Sequence, residues 1–183
     1  MRITKNTHVL LLKGGFGLER NVSLRSAKAC FDAIRENGLK VTEVDIGLNG
    51  INELTSLKVD VCFNALHGKF GEDGTVQGLL NLLKIPYTHS GVTASAIAMN
   101  KIHFKRLITN ATENSEDPII FPQTLRIVKG EPLHINNYDG PYVVKPLSGG
   151  SSVDVTIIRD NKSKFFIKNE NCDELMAEVL VGD

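Results

Sequence analysis

A chain of 183 residues can bury about 70 % of its unfolded surface, so one large domain or two small ones fold without disulfide or metal staples. Lysine plus arginine number 21, as do aspartate plus glutamate. That balance leaves no basic excess for nucleic acid and no like-charge run suited to a disordered tail. The three cysteines, Cys30, Cys62 and Cys172, are odd in number, far apart and without metal spacing, which argues against a disulfide framework and fits reduced thiols in the cytosol. The early apolar run Val9–Leu12 is closed by Lys13, too soon for a signal sequence, and no segment reaches membrane-spanning length.

In chain order, short apolar runs at Val9–Leu12, Val41–Ile46 and Val59–Phe63 predict buried strands. Between the first two, Asn21–Asn37 carries Val22, Ser26, Ala29, Cys30, Ala33 and Ile34 on one helical stripe, with Gly38 as a stop. A second helix is expected over Thr75–Leu83, with Val76, Leu79, Leu80 and Leu83 on one face. Strand, helix, strand, strand, helix predicts a small doubly wound α/β domain over residues 1–90, with its ligand at the carboxyl ends of the strands. Near Pro86–Gly91 the pattern changes. A small-residue stretch leads into a helix reaching about Ile108, and Asn110–Pro118 reads as a loop. Strands are then expected at Phe121–Val128, Pro141–Lys145 and Val153–Arg159, with a last apolar run around Leu175–Val181. They make 91–183 a strand-rich α+β domain.

Three loops hold residue types suited to chemistry. The stretch HGKFGEDGTVQG (67–78) packs a histidine, two adjacent acids and four glycines behind a predicted strand. Such glycine density lets backbone approach a small ligand or take positive φ. His67 can donate to a carboxylate, act as a base or ligate a metal. His67, Glu72, Asp73 and His89 lack a recognised ligand spacing, so a metal site is not expected and an amino-acid carboxylate fits better. A histidine that merely ties two loops together is the competing reading.

The loop Gly14–Arg20 sits where a dinucleotide fingerprint would, but Arg20 stands in place of the third glycine. Glu19 also puts negative charge where phosphates would lie, which suits a substrate ammonium; the alternative is a helix-start acid complementing the macrodipole. In Lys145–Ser152 a lysine leaves a strand into a Gly/Ser loop rich in donors, a phosphate cradle built as a flexible hairpin rather than a Walker A loop. Lys101, an isolated helix lysine, is by itself an ordinary solvated residue.

Together the segments GGFGLERNVSL (14–24), LHGKFGEDGTVQG (66–78), IPYTHSGVTASAIAMNK (85–101) and VVKPLSGGSSVDV (143–155) resemble, in order and spacing, the D-alanine–D-alanine ligases of the ATP-grasp superfamily. The resemblance implies a Rossmann-like N-terminal substrate domain followed by a central ATP-grasp domain. It also implies ATP-dependent phosphorylation of one D-alanine, then attack on the acyl phosphate by the amine of a second. Glu19 looks like the anchor of the first ammonium, with Val22 beside it, and His67 like a residue near that substrate. Lys101 and Lys145 match lysines that hold ATP phosphates. Ser151 matches the serine that links the lid loop to the catalytic network, and Ser152 follows it in the phosphate loop. Glu178, Val179, Leu180 and Val181 resemble the hinge bordering adenine.

Gly149 stands where many relatives have an acid, Asp154 where a glycine is common, and Asn21 and Asn100 where acids are common. Family members continue beyond the adenine hinge into a domain that supplies the Mg²⁺ ligands, an arginine aimed at the intermediate and the tyrosine partner of Ser151. The expectation is therefore that these 183 residues hold no metal ligands and do not ligate D-alanine alone. A complete enzyme of this kind is expected to be a cytoplasmic homodimer in peptidoglycan precursor synthesis. Two other readings compete: a non-catalytic remnant that binds nucleotide or a partner protein, and a Rossmann oxidoreductase, against which Arg20 and Glu19 already weigh.

Overall fold

The computed structural model describes residues 3–47, 50–127, 140–150, 154–159 and 174–182. Ser151, Ser152 and Cys172 lie outside the described residues. The chain divides into two compact units, Met1–Ala96 and Ile97–Asp183.

In the first unit, β1 (His8–Lys13) is flanked by β2 (Lys40–Asp45) and β3 (Val61–Asn64) in a parallel sheet of order β2-β1-β3. Tyr87 adds a parallel bridge beside Cys62 at the β3 edge. Because β1 is central, both of its faces are covered, and Leu10, Leu11 and Leu12 are fully buried. Burying each such side chain contributes roughly 1.5–3 kcal/mol. Leu10 and Leu12 join Val44, Leu54, Val76 and Leu80, so α2 (Gly50–Ser56) and α3 (Thr75–Leu82) cover one face. Leu11 packs with Ala27 and Phe31 of α1 (Arg20–Glu36) on the other. Helices on both faces of a parallel sheet make the doubly wound arrangement that the apolar runs predict.

Local details differ from the sequence pattern. Helix α2 is unexpected, being short and mostly polar, with Leu54 as its fully buried apolar side chain. On α1 the buried residues are Ser23 and Ala27, while Ala29 and Ala33 face solvent. The stripe is rotated because small side chains at 23 and 27 bring the helix close to the sheet, and Ser23 satisfies its hydroxyl there. Strand β3 begins at Val61 rather than Val59.

In the second unit, β4 (Thr124–Ile127), β5 (Tyr142–Pro146), β6 (Thr156–Ile158) and β7 (Leu175–Val179) form an antiparallel sheet of order β4-β7-β5-β6. Tyr142, Val144, Met176 and Ala177 are buried in it. Helix α4 (Val92–Met99) is followed by α5 (Lys101–Thr112). Helix α5 runs past the expected stop near Ile108, and the Thr112 hydroxyl bonds back to the Ile108 carbonyl at 2.9 Å. Asn100 caps α5 by accepting the His103 N–H at 3.0 Å. Among the described residues no helix is long and apolar enough to cross a membrane.

Candidate functional site

The Gly14–Arg20 loop leaves β1 and the His67–Gly74 loop follows β3, so both emerge at the carboxyl end of the parallel sheet. Ser23 locks them together. Its hydroxyl accepts the Gly14 N–H at 2.9 Å and donates to the Ala65 carbonyl at 2.7 Å, both fully buried. Phe16 and Phe70 meet edge to face across the same two loops, with centroids 5.9 Å apart.

Glu19, 9 % exposed, is the N-cap residue of α1 yet makes no side-chain capping bond. Its carboxylate instead lies directly against Gly68, where a Cβ would overlap Oε2. Gly68 has φ +67°, so both the steric contact and the backbone call for glycine. His67 stands next to it, with Nε2 3.2 Å from the Ser26 hydroxyl and Nδ1 3.6 Å from Glu72 Oε1. Glu19, Val22 at half-burial on the next turn and His67 are thus gathered at one sheet edge.

The two acids of the second loop serve its backbone. Glu72 Oε2 accepts the Gly68 N–H at 2.8 Å, and Asp73 accepts from Phe70 N–H at 2.8 Å and Thr75 N–H at 3.0 Å. Burial works to raise the Asp73 pKa, but these N–H donors outweigh it and hold the carboxyl below its ordinary value. Asn64, buried behind the loop, donates to the Gly71 carbonyl and contacts His89 Nδ1 at 2.8 Å, while Gln77 donates to the same carbonyl at 2.9 Å. His89 is occupied with the loop scaffold.

The first loop is held from β2. Arg20 makes a two-pronged pair with Asp45, at 2.7 and 2.6 Å, and also donates to the Gly15 carbonyl at 3.1 Å. The guanidinium holds the Asp45 carboxyl below its usual range, against a smaller opposing effect of burial. A Cβ on Gly14 (φ +78°) would overlap the Asp45 carboxylate. Gly14 therefore makes room for an internal ion pair rather than for a pyrophosphate.

In the second unit the cations converge on the end of β5. Lys145 pairs with Glu178 of β7. Lys101, at the first turn of α5, donates to the carbonyls of Pro146 at 3.1 Å and Gly149 at 2.7 Å. The Lys101 N–H reaches the Leu147 carbonyl at 3.2 Å, and Asn100 bridges to Ser148. The first turn of α5 and the Lys101 ammonium thus sit against the 146–149 segment, while the Lys145 ammonium lies on Glu178. A helix N-terminus with ammonium groups nearby is a setting suited to a polyanion. Val179 and Leu180 continue β7 and spend their N–H groups on Gln123 and Pro141, whereas Val181 is 73 % exposed. Asp154 has φ +59°, a left-handed conformation that glycine takes freely and that aspartate tolerates better than most side chains. Among the described residues no group of three or more His, Cys, Asp or Glu side chains is placed to hold a metal.

The sequence reading missed Arg20, Ser23, Asp45, Asn64 and Lys105. Arg20 and Ser23 lay inside a recognised segment, but nothing local marked Asp45 as the partner of Arg20, and Lys105 reads as one more helix lysine.

The family model described as D-ala D-ala ligase N-terminus matches residues 49–90. The D-alanine–D-alanine ligase of Parvibaculum lavamentivorans is 45 % identical over 180 residues, covering 96 % of this chain and 56 % of the relative. This chain is a homologue of the D-alanine–D-alanine ligases. The ligase of Methylobacterium radiotolerans is 49 % identical over 156 residues, 85 % of this chain and 49 % of the relative. The chain thus spans about half the length of the curated relatives it matches. Among solved structures, the D-alanine–D-alanine ligase of Bacillus anthracis complexed with ATP is similar, with a TM-score of 0.76 and 28 % identity over 96 % of this chain and 59 % of that one. The likeness to that structure extends over both the parallel α/β unit and the antiparallel unit of this chain.

Proposed function

We propose that this chain carries the parts of a D-alanine–D-alanine ligase that bind the first D-alanine and the phosphates of ATP, for the cytoplasmic synthesis of peptidoglycan precursors. The observation that carries this reading is the Glu19 carboxylate seated on Gly68 beside His67, at the carboxyl end of the parallel sheet. A carboxylate there holds an ammonium through charge-assisted bonds, and a neighbouring histidine with loop N–H groups receives the amino-acid carboxylate. Val22 gives the small side chain an apolar wall.

In such a ligase the carboxylate oxygen of the first D-alanine attacks the γ-phosphorus of ATP, breaking the bond to ADP and giving D-alanyl phosphate. The amine of the second D-alanine then attacks the acyl carbon, and phosphate leaves as the peptide bond forms. Phosphoryl transfer relies on charge neutralisation and positioning more than on covalent help. Lys145 and Lys101 at the end of β5, with Ser151 and Ser152 by resemblance, are the residues assigned to the phosphates. Glu178, Val179, Leu180 and Val181 are assigned to the adenine border, and Ser151 with Glu19 to the catalytic network.

On this reading the 183 residues bind both D-alanine and ATP. The test combines equilibrium dialysis of ATP and D-alanine with a phosphate-release assay using L-alanine as control. Binding of both ligands is the expected result. Release that depends on D-alanine would show that the 183 residues suffice, and absence of both binding events would overturn the reading altogether.

A further inference from the structure

In the structure Lys145, assigned above to phosphate, is already engaged, because its ammonium is held by Glu178 Oε1. The other oxygen of the same carboxylate, Oε2, is held by Lys105 from the second turn of α5. Lys105 is anchored separately. Its ammonium donates to the Thr124 hydroxyl at 2.9 Å and lies 5.6 Å from the centre of the Phe121 ring. The three charged side chains are well enclosed, at 16 % exposure for Lys105, 13 % for Glu178 and 23 % for Lys145.

A carboxylate this enclosed with a single cation keeps that cation, since its departure would leave a buried charge unpaired. With a second cation on its far oxygen, the first can leave at much lower cost. The cluster also carries a surplus, because two ammonium groups against one carboxylate leave it a net charge of +1.

We propose that Lys105 is a positioning residue of the nucleotide site: by holding and neutralising Glu178 from α5, it releases Lys145 to engage the phosphates of a nucleoside triphosphate. The inference rests on the reading of this unit as an ATP site and adds to it a residue that does not touch the nucleotide. It also explains why Lys105 is fixed twice over, by Thr124 and Phe121, whereas Lys145 is tied through Glu178.

The test is an NMR titration of the ¹⁵N-labelled chain with ATP and, separately, with adenosine, which lacks phosphates. Lys105→Met is expected to weaken ATP about tenfold while leaving adenosine unchanged, because Lys145 then stays with Glu178. Lys105→Arg is expected to restore ATP binding to within about threefold, since it keeps the second cation. Thr124→Val keeps both charges but removes the anchor of Lys105, and should give about a threefold loss for ATP alone, a second route if Lys105→Met does not fold. Unchanged ATP affinity in the variants, or equal losses for ATP and adenosine, would overturn the inference while leaving the ATP reading in place. No ATP-induced shifts at residues 145–150 of the unaltered chain would overturn both.

Discussion

The two candidate sites are built from opposite materials. In the first unit, function rests on closeness: Gly68 gives way to the Glu19 carboxylate, Gly14 gives way to Asp45, and Ser23 bonds the two loops through buried backbone. In the second unit, function rests on long side chains that cross between elements, Lys101 and Lys105 from α5 and Lys145 from β5, against carbonyls and one shared carboxylate. The first design is intolerant of a single methyl group, and on the proposed reading its rigidity is what seats an ammonium. The second tolerates changes of shape and is sensitive to charge, which suits a site where cations exchange an internal partner for a ligand.

Substitutions can break this contrast, beginning where the effect should be greatest. Gly68→Ala places a Cβ inside the Glu19 carboxylate and an L side chain at φ +67°. It should abolish detectable D-alanine binding and cost roughly 1–2 kcal/mol of stability from the backbone alone, read by titration and urea unfolding. Glu19→Gln keeps the shape and removes the charge. D-alanine affinity should fall about tenfold to a hundredfold while ATP affinity is unchanged, and a loss of ATP affinity would contradict the division of labour.

Acid distinguishes the two regions less sharply but tests both. Asp45 beside Arg20, and Glu178 between Lys105 and Lys145, are held below their ordinary values of 3.8 and 4.5, in the case of Glu178 despite an opposing effect of burial. Each carboxylate therefore contributes stability that is fully present above its ordinary value and is lost as pH falls through its lower folded value. Urea unfolding should show stability declining below those ordinary values. Asp45→Asn and Glu178→Gln should each flatten part of that decline, and a profile unchanged in both variants would contradict the pairing. The smallest expected effect is at Asp154, at φ +59°, where Asp154→Gly should raise stability by less than about 1 kcal/mol and leave D-alanine binding untouched.

How much of this was readable in the sequence follows the same contrast. The first site lies on contiguous segments, so the glycines, Glu19 and His67 could be singled out along the chain, and the apolar runs placed them at strand ends. What the sequence did not reveal was pairing at a distance. Arg20 finds Asp45 and Lys105 finds Glu178 through β-sheet register and helix placement, which no local pattern encodes. The acids of HGKFGEDGTVQG were given no ligand role from the sequence, but their actual work, accepting backbone N–H groups within their own loop, was not legible there. Helix α2 escaped notice because seven mostly polar residues present too little periodicity.

The most direct measurement is a titration of the ¹⁵N-labelled chain with D-alanine, with L-alanine in parallel. The account predicts saturable shifts of the Glu19, Arg20, His67 and Gly68 amides with D-alanine, much weaker shifts with L-alanine, and none in Glu19→Gln at the same concentrations. Equal responses to both enantiomers, or shifts that leave those four amides unmoved, would contradict a D-alanine seat at the joined loops.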